Sequence, residues 1–438
     1  MSRTRVRLPD RDRLTSPLRV TRWRMFEPFQ VAGPIRALAV MALVSALGTG
    51  FFLAGSALFF VKVVGLTPVE TSIGMSAAGF TGFVAAPLLG QFSDRFGARR
   101  VYKVLTLVQA AMFLTYPWVS SFPLFVTVVC AVAAAEFGAV PAWASLVADC
   151  VPADIRVETR GKYRALVNLG LTVGSLATSV VIAVGTAEAY YSLVVVNGLS
   201  LVLCVLAAGR LPDVRPKPHA PGAPRFAALR DGPYLSVVAV SSVLSLHGAV
   251  LAVVLPLWIV GHTSAPGWFL PLLMTVNTVL AIAFQVRVSS LAPTWRPAAR
   301  LARWSGLFLT GSFAVFALSG RIGGLSLAAL LLLGIVLLTA AELGQSASAW
   351  GLAYDLAPPD RQGEYQGAFA LTTPVQSTLG PVLGTLVLAD SGGLGWLPLG
   401  ALVLVASWLV VPCAYRSAAR LATPAESPLP AYEKRPLP

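Results

Sequence analysis

Charge is the first thing this sequence lacks. Only 12% of its 438 residues are Asp, Glu, Lys or Arg, about half the share of an ordinary soluble domain, and that excludes a water-soluble globule of this length. Acids are scarcer still, 19 against 33 bases. Paired cysteines are missing as well. Cys130, Cys150, Cys204 and Cys413 lie in or beside apolar runs, at spacings that support neither a disulfide framework nor a CxxC metal site. No metal or other cofactor is therefore expected. There is no GxxxxGK[ST] loop, so ATP does not drive the chain directly. With no HExxH and no G-x-S-x-G elbow, an enzyme is not expected. The first 33 residues are rich in Arg, yet no short apolar region ending at a small-residue cleavage site follows them. They read as a retained basic tail rather than a cleaved leader.

What is there is apolar. Hydrophobic residues make up 56% of the chain, and the mean hydropathy is +0.74. About 20 apolar residues cross a bilayer as a helix, so the length leaves room for roughly twelve crossings with short loops. The net charge of +14 would suggest nucleic acid in a soluble protein. Here the bases sit in loops and tails, so no nucleic-acid partner is expected and the lipid bilayer is.

The predicted spans cover 35–63, 69–91, 100–118 and 122–148, then a fifth from about 161 and a sixth ending near 210. Spans seven to twelve cover 233–260, 267–292, 301–320, 323–350, 362–388 and 394–415. Between the sixth and seventh lies a stretch rich in Pro, Arg and Lys, the natural boundary between halves. The expected organisation is a basic tail (1–33), an N-terminal six-helix bundle (34–210), a linker (211–232), a C-terminal six-helix bundle (233–415) and a second tail (416–438). With twelve spans and both tails inside, only Lys62 and Arg321 of the 33 bases fall in external loops. That asymmetry is the positive-inside pattern and puts both termini in the cytoplasm. The preference for Arg over Lys, 28 to 5, hints at a GC-rich bacterial genome and hence a bacterial inner membrane.

The halves repeat. Residues 133–152, AAAEFGAVPAWASLVADCVP, align with residues 339–359, TAAELGQSASAWGLAYDLAPP. Glu136 and Glu342 are 206 apart, as are Asp149 and Asp355, and Pro152 and Pro358. Same-direction repeats of six spans imply two bundles related by an axis along the membrane normal.

Residues 90–100, GQFSDRFGARR, lie at the edge of the second span. Their spelling, G-x-x-x-D-R-x-G-x-R-R, resembles the loop between spans two and three of the major facilitator superfamily. With the repeat, the resemblance covers nearly the whole chain apart from the tails. It implies an all-α membrane protein of twelve helices in two pseudo-symmetric bundles, moving a small molecule by alternating access. It also implies a gating loop of Gly90, Asp94, Arg95, Gly97, Arg99 and Arg100. Asp94 would hold the start of span eleven near Gly363, and Arg95 would pair with a nearby acid such as Asp149. Ala98 departs mildly from the family spelling, in which a base follows the second Gly. The matching loop after span eight carries no acid, so the latch is expected in one half only, and Arg287 there has no evident partner.

Glu136 is the sharpest single signal, because an acid mid-way along a span is a functional-site candidate by default. It would take up and release protons; the alternative is a structural acid bonded to a neighbouring helix. Glu342 is its repeat mate, with Gln345 beside it on the same helix, and a gate or an inter-helix bond is equally open. His247 is the one His within a predicted span and titrates in the right range, although a lone His among apolar residues is more often simply bonded in the core. The family resemblance places spans one, four, seven and ten around a central cavity, and these three residues fall on three of them. Thr49, Trp143, Asn168, Asn277 and Gln345 are further candidates for its lining, with Phe51 and Phe52 as apolar contacts. Asn168, Asn197 and Asn277 would serve equally as glue between helices. Gly170, Gly174 and Thr178 on span five, and Gly380–Pro381 and Gly384 on span eleven, read as stripes for close helix packing. Span five lacks the Pro that the family's antiporters often carry there, which weighs against antiport.

The expected partners are a small-molecule substrate, protons and lipid, with the chain a monomer. The Arg-rich tail would set topology and could also touch anionic lipid. Proton-coupled efflux is the first expectation. Proton-coupled uptake or facilitated diffusion of a polar metabolite, and a non-transporting receptor or scaffold, are the alternatives.

Overall fold

A computed structural model describes residues 26–30, 33–214, 226–376, 384 and 393–422. The Arg-rich tail up to residue 25, linker residues 215–225, Gly380 and Pro381 of span eleven, and residues 423–438 lie outside the described residues.

The described residues form helices without strands. Two short helices, α1 (Glu27–Gln30) and α8 (Ala227–Arg230), precede the two bundles. The first bundle holds α2 (Pro34–Lys62), α3 (Pro68–Phe96), α4 (Ala98–Thr115), α5 (Phe122–Cys150), α6 (Arg156–Val184) and α7 (Ala187–Ala208). The second holds α9 (Gly232–Leu244), α10 (His247–Ala249), α11 (Leu255–His262), α12 (Phe269–Ser289), α13 (Trp295–Ser319), α14 (Gly324–Asp355), α15 (Gln362–Ala370) and α16 (Trp396–Ala422). Among the described residues, ten segments are long and apolar enough to cross a membrane, α9 to α11 counting as one. The other two of the twelve predicted spans are α4, whose first turns carry Arg99, Arg100 and Lys103, and the segment that opens with α15.

Local sequence explains the helix boundaries. Thr67 and Glu70 form a reciprocal cap at the start of α3: the Glu70 amide donates to Thr67 Oγ1 at 3.2 Å and the Thr67 amide to Glu70 Oε2 at 2.9 Å. Pro68 fills the first helical position, where no N–H is needed. Gly97 ends α3 and starts α4 with φ +90, a conformation only glycine adopts without strain. Several boundaries differ from the sequence reading. Helices α6 and α13 begin five and six residues before the predicted starts at 161 and 301, and α3, α14 and α16 run on past the predicted ends at 91, 350 and 415. Their extra turns carry charge, so hydropathy alone cuts them short. Span seven is not one straight helix: it breaks after Leu244, resumes at His247 and passes through a π-turn over Val250–Val254.

The packing follows the small residues. A Cβ on Gly174 would lie 2.3 Å from the Leu47 carbonyl oxygen, and one on Gly50 2.5 Å from that of Leu171. The stripe on α6 is therefore a crossing with α2, closed by Thr178 donating to the Phe51 carbonyl at 2.7 Å. Asn197 is buried beside Ser200 in the contact of α7 with α2. The second bundle is cored by Trp258, Phe313, Phe316 and Trp396. Large apolar side chains such as Phe80, Leu176, Leu203, Val260 and Trp408 face outward, as lipid contact demands.

Candidate functional site

The bundles meet where α3, α5, α12 and α14 end and α4, α6 and α15 begin. This end, which carries most of the bases, is the basic side. Two glycine crossings close it. Cβ atoms added to Gly90 and Gly363 would each lie 2.5 Å from the other residue's carbonyl oxygen, and one on Gly367 would lie 2.8 Å from that of Ala86. In the second crossing, a Cβ on Gly161 would strike Ser289 Oγ at 2.3 Å.

Asp94 reinforces the first crossing. Its Oδ1 accepts from the Gly363 amide and its Oδ2 from the Glu364 amide, both at 2.7 Å. These amides are the second and third of α15, and Arg361 at the cap position offers no side-chain bond to them. The carboxylate of another helix thus supplies the missing cap and sits at the positive end of the dipole. Of the other loop residues, Arg99 donates to the Gly209 carbonyl at 2.8 Å and Arg100 reaches Asp213 at 3.4 Å. Both hold the end of α7 rather than the crossing. Arg95 is exposed, with its guanidinium 5.2 Å from the Phe96 ring.

A third contact is aromatic. Tyr354 donates to the Ala144 carbonyl across the bundles at 3.1 Å. Arg156 stacks over its ring at 5.4 Å, and Arg160 lies 5.4 Å from the Trp350 ring. Both Arg lie before residue 161, where the sequence reading begins span five, so hydropathy leaves them in a loop.

Hydrogen bonding divides the intramembrane polar residues into two groups, one in each bundle. In the first bundle, Gln109 of α4 donates to Glu136 Oε2 over a long 3.4 Å. Glu136 and Val140, one turn on, keep accessible surface although protein surrounds the acid. Glu136 thus faces a hollow. In the second bundle, Asn277 of α12 is buried and its amide donates at 3.0 Å to both Thr339 Oγ1 and Glu342 Oε2 on α14. Asn277 positions Glu342 rather than lining open space. His247 lies close enough to feel the charges of Glu342 and of Arg164 on α6, while its Nδ1 bonds the Leu244 carbonyl at 3.1 Å. The break in span seven is covered from α15's side: the Gln376 amide reaches the Ser245 carbonyl at 3.1 Å and the Ala249 amide at 3.3 Å.

Two lining candidates are corrected. Gln345 is buried and donates to the Ser241 carbonyl and Ser245 Oγ, both at 3.0 Å, so it binds α14 to α9. Asn277 is the second, as above. Thr49, Trp143 and Asn168 are half-buried, Trp143 with the rings of Tyr102 and Tyr163 at 5.9 and 6.1 Å. Gln109 and Arg164 are the residues the sequence reading missed. Arg164 was detectable, since Arg156, Arg160 and Arg164 recur every fourth residue on one helical face. Gln109 carries no comparable signal.

Among the described residues, no group of three or more His, Cys, Asp or Glu is arranged to hold a metal. Comparison with known proteins agrees with the architecture. The family model described as Major Facilitator Superfamily matches residues 38–375. The tetracycline resistance protein, class C, of Escherichia coli is 27% identical over 341 residues, 74% of this chain and 82% of that protein. The crystal structure of a bacterial homologue of the iron transporter ferroportin in an outward-facing state superposes with TM-score 0.70 at 14% identity, covering 88% of this chain and 99% of that one. The proton:xylose symporter XylE superposes with TM-score 0.63 at 14% identity, covering 86% and 95%.

Proposed function

Because the chain belongs to the major facilitator superfamily, and is thus a membrane transporter and not an enzyme, we propose that it exports a small amphiphilic molecule in exchange for protons. The observation that carries this reading is Glu136, an acid in mid-span that touches a hollow and, among the described residues, has one long bond, from Gln109. An acid with so little fixed partnering is free to exchange a proton for substrate. Closure of the basic side supports the rest. With that side cytoplasmic, as the distribution of bases argues, the chain is closed toward the cytoplasm, ready to release substrate outside and take up a proton. Each transferred charge gains about 2.3 kcal/mol per 100 mV before any pH contribution. The similarity to a tetracycline resistance protein favours export and supplies a first probe. In this reading Asp94 and the two glycine crossings form the inner gate. Glu342, with His247 beside it, is the second proton or substrate group.

The test is tetracycline, followed by a panel of amphiphilic compounds, in proteoliposomes with an imposed pH gradient. Substrate-evoked proton release that is lost in Glu136→Gln is expected. Substrate movement equal in wild type and Glu136→Gln, with no proton flux, would overturn the exchange.

A further inference from the structure

Arg164 stands on the inner side of the closed basic end, and among the described residues no hydrogen bond or ion pair holds it. It lies eight residues into α6, about 12 Å from the helix start. The Gly161–Ser289 crossing and the Arg160–Trp350 contact are each a turn nearer the basic side. Positions four apart share a helical face. Arg164 therefore projects into the same gap between bundles as Arg160, one turn beyond the seal. The flanks of α6 are taken on either side: Gly170 and Gly174 press on α2, and Gly161 presses on α12.

The facing wall is polar and already self-satisfied. Gln285 of α12 donates to Ser346 Oγ of α14 at 3.1 Å and to Ser289 Oγ at 3.2 Å. A turn deeper, Asn277 holds Glu342. His247 completes this wall, near enough to Arg164 for their charges to interact. The neighbouring arginines are used differently: Arg156 donates to the Ala148 and Val151 carbonyls, and Arg160 stacks on Trp350 and Tyr354. Arg164 is exposed, and among the described residues no hydrogen bond or ion pair reaches its guanidinium. Five N–H donors in a planar fork suit a carboxylate, which they engage in two parallel bonds. A cation with no partner in a closed-ended hollow repels cationic substrates and gains nothing from neutral ones.

We propose that Arg164 is the anion-binding residue of the substrate site, and that the substrate is an organic anion, a carboxylate or enolate, whose charge it receives. Glu342, on the opposite wall, is then left for a proton or for a substrate's basic group. This assignment rests on the reading of the chain as a small-molecule carrier, but not on its coupling or direction.

Purified protein in phosphatidylcholine nanodiscs, which offer no net anionic headgroup, can be titrated with dansylglycine and with its methyl ester, with no gradient applied. Wild type should bind the carboxylate at least tenfold tighter than the ester. R164Q should bind the two within twofold, through weaker carboxylate binding alone, and R164K should keep part of the preference. A wild type that does not prefer the carboxylate overturns the assignment, whatever the fate of the variants. So does an R164Q as selective as wild type. If R164Q fails to fold, R164K decides: selectivity unchanged to within the ester control also overturns it. A failed proton-exchange assay would overturn the coupling and leave this result standing, and the converse holds.

Discussion

Gly90 and Gly363 cross backbone to backbone, each with its carbonyl oxygen 2.5 Å from where the other's Cβ would stand. No side chain fits between them, so the basic side closes only with glycine at both positions. Gly90→Ala or Gly363→Ala should expel α15 from α3, at a cost of about 1–3 kcal/mol by overpacking. The closed-to-open ratio should fall at least about fivefold, since 1.4 kcal/mol is a factor of ten in an equilibrium constant. Electron–electron distances between spin labels at exposed Arg100 and Arg296, one in each bundle, would lengthen on average. An unchanged distance distribution would refute the crossing as the point of closure.

Asp94 caps α15 from outside. In Asp94→Asn one oxygen is replaced by an NH2 that faces an amide donor, so one charge-assisted bond is lost and a donor clash appears. The loss should be about 1.5–3 kcal/mol of closure, read as a drop in transport rate of tenfold or more. Substrate binding to the purified protein should stay within twofold, because Asp94 lies at the basic end and not in the hollow. A binding defect as large as the rate defect would show a role other than closure.

Gln345 is a structural residue in spite of its intramembrane position. Its amide satisfies the Ser241 carbonyl and Ser245 Oγ next to the break in span seven. Gln345→Ala should destabilise the protein by about 1–3 kcal/mol through buried groups left without partners, seen as a lower melting temperature. The ranking of substrates should not change. Altered specificity at unchanged stability would return Gln345 to the cavity lining.

Asp231 is buried where α9 begins. It caps the Tyr234 amide at 3.0 Å, accepts from the Tyr365 hydroxyl at 2.7 Å and pairs with Arg420. Arg420→Gln leaves that carboxylate without its cation. The expected cost is about 3 kcal/mol, at the low end for a broken buried pair because Arg420 is partly exposed. Thermal unfolding measures it, and the double variant Arg420→Gln with Asp231→Asn should recover part of the loss. No recovery would mean that Arg420 acts through its other contacts, the Leu356 carbonyl and the Tyr365 ring.

The sequence by itself determined the class of the molecule. Low charge and long apolar runs leave lipid as the only solvent, and lipid leaves helices as the form in which each backbone satisfies itself. Gly90, Asp94 and Gly97 were legible for the same local reason, since glycine and an acid at a span's edge have few possible uses. Tertiary structure decided which intramembrane polar groups face space and which face each other. Gln345 and Asn277 look like Glu136 in a sequence, because hydrogen bonding across helices joins residues 62 to 104 positions apart and no spacing encodes that. Arg164 shows the reverse: the sequence puts it near the start of span five, where a base is unremarkable, and only the closure beside Gly161 puts its charge inside the protein.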